Sequence, residues 1–96
     1  MSTPSIYAVA LSLLKMGLGV SHTARDDLYL PKLEAADAEL QGRGIVLDMS
    51  LTDDVVLLAD YTEWEYRNRD TEKAMPASLV LRLNNRKIKG RANNEP

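Results

Sequence analysis

The residues with chemically useful side chains are few, and their spacing assembles no reaction centre. His22 is the single histidine and there is no cysteine. A zinc-type site draws several nitrogen or sulfur ligands from one neighbourhood, and this chain has no set to offer. His22 stands in a Ser-His-Thr turn and reads as an exposed turn residue. Asp26-Asp27 and Asp53-Asp54 are paired carboxylates, the residue type that general acid–base catalysis uses. Each pair opens a helical pattern, however, where unsatisfied N–H groups stabilise negative charge, so capping is the expected role. Gly42-x-Gly44 lacks the third glycine of a dinucleotide fingerprint and follows a helix, not a strand. Ser5, Ser12 and Ser50 have no base beside them. No nucleophile, base and orienting group come together, which argues against an enzyme and implies no metal or cofactor.

Two features remain. Asp60 lies within the most apolar part of its segment, where an unpaired carboxylate would be costly. It is expected to form a structural ion pair with Arg67, Arg69, Arg82 or an arginine of a neighbouring copy. The second feature is the basic final third: Arg67, Arg69, Lys73, Arg82, Arg86, Lys87, Lys89 and Arg91. These cations suit phosphates or the acidic surface of a protein partner equally. The stretch from 86 to 91 holds no aromatic side chain to stack on a base, which weighs against sequence-specific nucleic-acid reading.

The formal net charge of −2 hides an asymmetry. Residues 21–65 carry three bases against eleven acids, and residues 66–96 carry eight bases against three acids. Opposite poles on one small domain suit oriented contact between copies, although solvated faces produce the same pattern. At 96 residues, with 45% hydrophobic and 27% charged side chains, the chain fits one folded domain with a modest core. The longest apolar-rich stretch, residues 6–14, is far short of the ~20 residues of a membrane span and makes a poor signal peptide. The expected setting is a cytoplasm, with no membrane.

The elements that must position these groups read as a mainly α fold, a small bundle of about four helices. The first has Thr3 as N-cap, Pro4 at its first position and Ile6, Val9, Ala10, Leu13 and Leu14 at helical spacing, ending at Gly17 and Gly19. Ser21 or Thr23 caps the second, whose inward positions are Leu30, Leu33, Ala36 (or Ala35) and Leu40. Glu34, Asp37 and Glu39 are expected to face water. Pro31 either bends this helix or marks where its regular part starts, and Gly42-Arg43-Gly44 closes it. Ile45-Val46-Leu47 reads as a short extended connector or a minimal strand. Ser50 or Thr52 caps the third helix, with Val55, Leu58, Ala59, Thr62 and Tyr66 on one stripe and Leu57, Tyr61 and Trp64 on another. Glu63 with Arg67, and Glu65 with Arg69, stand at i, i+4. Met75-Pro76 starts a fourth helix with Leu79, Val80, Leu83 and Ile88 inward and Gly90 as its stop. Residues 1–90 are thus one helical domain, and 91–96 are expected to be a flexible tail.

The run Asp60-Tyr61-x-x-Trp64-x-Tyr66-Arg67-Asn68-Arg69-Asp70-Thr71, then Met75-Pro76 and Leu83-Asn84-Asn85-Arg86-Lys87, resembles the head–tail connector (adaptor, or head-completion) proteins of tailed bacteriophages. Leu18-Gly19-Val20, Arg25-Asp26-Asp27-x-x-Leu30 and Gly44-Ile45 extend the likeness over most of the chain. The resemblance implies a structural subunit of a homo-oligomeric ring, usually matched to the twelve-fold portal. Such a ring docks on the portal protein after DNA packaging, lets DNA pass without sequence-specific binding, and presents a platform for neck or tail-completion proteins. It places the protein at the virion head–tail junction, and in the host bacterial cytoplasm during assembly. Carried onto this sequence, it makes Arg86, Lys87, Lys89 and Arg91 a docking arm whose replacement by serine should leave the fold intact. Asp60, Tyr61, Trp64, Tyr66, Arg67, Arg69 and Arg82 complete the expected subunit or portal interface. The alternative reading is a small nucleic-acid-binding or DNA-packaging accessory protein that uses the basic C-terminus.

Overall fold

In the computed structural model, which describes residues 6–71 and 73–94 with side chains up to Lys89, the apolar periodicity folds into four helices. These are α1 (Ala8–Leu18), α2 (Asp26–Gly42), α3 (Thr52–Arg67) and α4 (Ala77–Asn94). Helix α3 is central and packs against each of the other three, while α1 also touches α2. The core joins Ala10 and Leu14 of α1, Tyr29, Leu33, Ala36 and Leu40 of α2, Val55, Leu57, Leu58 and Tyr61 of α3, and Leu79 and Leu83 of α4. All-round burial of α3 follows from its apolar run at residues 55–59, which leaves no polar face there to turn toward water. No described helix is long and apolar enough to cross a membrane.

Several local expectations change. Thr3 and Pro4 lie outside the described residues, and α1 begins later, at Ala8. Its inward stripe is Tyr7, Ala10, Leu11 and Leu14, whereas Ile6 and Val9 are 70% and 63% exposed. The apolar residues of α1 therefore occupy two faces, only one of which α3 covers. Gly17 lies inside the helix, and a Cβ there would run into the Glu63 carboxylate of α3. Gly19 is the actual terminator, with φ 74°, and the chain beyond it donates back to Lys15 and Met16 carbonyls.

Helix α2 is continuous through Pro31, which is exposed and five residues past the start. Neither Ser21 nor Thr23 caps it through a side chain; the N-cap position is Arg25. Asp37, expected in water, is only 4% exposed. Its Oδ2 accepts a 2.7 Å hydrogen bond from the Tyr7 hydroxyl, which ties the start of α1 to the middle of α2. Burial, then that bond, raises the Tyr7 pKa to about 12.

The connector after α2 is extended without forming a strand: Ile45 and Leu47 point into the core and Val46 points out. It leaves α2 through Gly44, whose φ of 83° suits glycine. Neither Ser50 nor Thr52 caps α3 with its side chain; the N-cap position is Leu51. In α4, Pro76 precedes the first helical residue, and its carbonyl receives the Leu79 and Val80 amides. Leu79 and Leu83 face inward as expected, but Ile88 is 64% exposed and Val80 lies at the rim. Gly90 does not stop α4, which runs on to Asn94.

Candidate interaction surface

Asp54, in the first turn of α3, does more than sit at the N-terminus of its own helix. Asp54 is 4% exposed, and its Oδ2 accepts the Asp48 backbone N–H at 2.8 Å. Its Oδ1 receives the Nε of Arg86 from α4, also at 2.8 Å. Asp48 in turn accepts the backbone N–H and the hydroxyl of Ser50, which holds its carboxyl below the usual range. The hydrogen bond to Asp54 raises the Arg86 pKa further against some desolvation. Connector, α3 and α4 are thus locked together by one largely buried arginine–carboxylate pair. A buried charge is tolerated only when paired and hydrogen-bonded, and both partners here meet that condition.

Asp60 finds Arg82 at 2.8 Å, one of the partners its position suggested. Both side chains keep more than two-fifths of their surface, so this second α3–α4 bridge is well solvated. Tyr61 is buried and donates to Glu39 of α2 at 2.9 Å. Tyr66 is half-buried and meets Tyr29 edge to face, with ring centroids 5.7 Å apart. The Arg69 guanidinium lies 4.5 Å from the Tyr66 ring centre and the Lys32 ammonium 5.7 Å from it. Trp64 packs its partly buried ring against the core. Arg67 bonds Glu63 at 3.1 Å, the expected i, i+4 pair, and also donates to the Gly17 carbonyl at 2.6 Å. Arg69 does not take Glu65. It donates to the Tyr66 carbonyl at 2.6 Å and lies 3.9 Å from Asp70.

The expected docking arm therefore divides. Arg86 is turned inward onto the buried Asp54 and so is not a free docking group as expected. Arg67 and Arg82 are also engaged within the chain. Lys87 lies over the turn at Gly44, and Lys89 is exposed; neither forms an ion pair among the described residues. The side chain of Arg91 lies outside the described residues. His22 is exposed, as its turn setting suggested.

A cleft of ≈ 340 Å³ opens between α2 and α3, lined among others by Lys32, Glu39, Trp64, Glu65, Tyr66 and Arg69. It was not legible from local patterns, because Glu39 and Glu65 are 26 positions apart in the chain and each sits at an ordinary solvent-facing helical position. Arg43 bonds Glu39 at 3.1 Å, on the same Oε1 that receives Tyr61. Among the described residues no group of three or more His, Cys, Asp or Glu is placed to hold a metal ion. Comparison with protein-family models, curated proteins and solved structures returns no match for this chain.

Proposed function

We propose that the chain is a structural subunit of a phage head–tail connector ring, acting by shape and charge. The observation that carries this reading is the separation of exposed acidic and basic groups onto two different helices, α2 and α4, that both pack on α3. Helix α2 exposes Asp27 and Glu34, while α4 exposes Lys89 beside Ile88 and Leu81. Ring contacts are heterologous, so one face of a subunit must complement a different face of the next. An acidic face and a basic, partly apolar face on one chain meet that requirement. The sequence likeness across residues 60–89 supplies the setting: a ring on the portal protein, DNA threading through it, and neck or tail-completion proteins beyond.

In this proposal the docking residues narrow to Lys87, Lys89 and Arg91, with Trp64 and Tyr66 at the rim. The nucleic-acid alternative loses ground because Arg82 and Arg86 are turned toward Asp60 and Asp54. Native mass spectrometry at graded salt, with and without the portal protein, tests the reading. A ring-sized species that weakens with salt is expected. A monomer that ignores the portal but binds duplex DNA, with affinity falling steeply with salt, contradicts it.

A further inference from the structure

Two apolar surfaces are left open on different parts of the bundle. On α1, Val9, Leu13 and Met16 recur at helical spacing, and Ile6 stands in the turn that leads into them. Val9 and Met16 are 63% and 74% exposed, so this stripe faces outward as a ridge. The second surface is a groove of ≈ 480 Å³ between α4 and the connector that follows α2. Buried Ile45 and Leu83 form its floor, Met75 and Val80 its apolar walls, and Arg43 and Lys87 its rim. Helices α1 and α4 make no contact among the described residues, so the ridge does not fill the groove of its own chain.

Charge marks the two surfaces as complementary. The one charge on α1, Lys15, is neutralised by Asp26 at 2.9 Å. The hydrogen bond from Tyr7 to Asp37 brings the middle of α2 beside the start of the ridge. Glu34, one turn before Asp37, is exposed there and forms no ion pair among the described residues. At the groove Arg43 is taken up by Glu39, whereas Lys87 has no carboxylate partner among the described residues. An acid beside the ridge and a lysine on the groove can orient an encounter between two copies.

We propose that the α1 ridge of one copy seats in the groove between α4 and the connector of a second copy, with Glu34 of the first approaching Lys87 of the second. This head-to-tail contact rests on the ring reading for its closure, and names the two faces through which ring neighbours meet. Pairing of two α1 ridges would cover one surface and leave the groove open. Seating ridge in groove covers both through one repeated interface. The ridge offers less than the ~800 Å² per partner of a stable two-body complex, so the single contact is weak and gains from repetition around a ring.

The test uses two variants of the full chain, each with one face spoiled. Val9→Glu/Met16→Glu charges the ridge at exposed positions with a good helix former. Val80→Glu/Lys87→Glu spoils the groove, and both variants should keep the wild-type urea midpoint. Sedimentation and native mass spectrometry are run up to about 1 mM, where weak contacts still register. Each variant alone should lose self-association. An equimolar mixture should recover a one-to-one pair and stop there, because one intact ridge still meets one intact groove. Wild-type-like assembly of either variant overturns the proposal and leaves the ring reading standing, as does a mixture that stays monomeric beside an associating wild type. Dimers of the groove variant alone point to ridge-on-ridge pairing and also overturn it. A pair in the mixture without a ring-sized wild-type species keeps this contact and sinks the ring reading. A wild type and a mixture that both stay monomeric contradict both. If either double variant unfolds, Glu34→Lys and Lys87→Glu decide the same question: each should weaken association alone, and mixing them should restore it.

Discussion

Helices α2 and α4 both lie against α3, but they are held by different physics. The α2 contact is mostly apolar, through Leu33, Ala36, Leu40 and the buried ring of Tyr61, whose hydroxyl reaches Glu39 at the rim. Helix α4 buries only Leu79 and Leu83 among its described residues and adds two arginine–carboxylate bridges to α3. Apolar burial is non-directional and tolerates small shifts, whereas a bridge to a buried carboxylate fixes register and orientation. The body is thus set by packing, and the angle at which α4 presents its lysines is set by charge.

That contrast can be broken from the body side first. Leu58 is fully buried at the centre of α3, so Leu58→Ala should cost about 3–4 kcal/mol in urea unfolding, as core truncations do. Next, Arg86→Ala leaves Asp54 buried without its guanidinium and should cost about 3 kcal/mol by the same measurement. Tyr7→Phe removes the donor to Asp37, whose Oδ1 already lacks a partner among the described residues, for a loss of about 2 kcal/mol. Arg82→Ala should change stability by about 0.5 kcal/mol or less, since its bridge to Asp60 is solvated on both sides. Equal losses for Arg82→Ala and Arg86→Ala would remove the distinction between the two bridges.

Local pattern reached the elements well and the polar interior poorly. Helical spacing and glycine punctuation located four helices, and the apolar setting of Asp60 called for an arginine that Arg82 supplies. Asp54 was misread because an acid in a first helical turn is usually explained by the helix dipole, and its partner lies 32 residues away. Asp37 carried a readable signal: it follows Leu33 by four and precedes Leu40 by three, a buried position on the α2 stripe. Tyr29, four before Leu33, belongs to that stripe for the same reason. Ile6 and Val9 show the opposite failure. They repeat at helical spacing, but the packing partner α3 selects the adjacent face through Ala10 and Leu14. Spacing identifies an apolar face; only the tertiary arrangement decides which of two faces is covered.

The division between scaffold and docking charge is the central claim. Its most direct measurement compares the Lys87→Glu/Lys89→Glu double variant with the wild type by native mass spectrometry and urea unfolding on the same samples. The account predicts an unchanged unfolding midpoint together with loss of the ring-sized species and of portal binding. Retained assembly, or a fold lost along with it, would contradict the assignment of these lysines to a docking face.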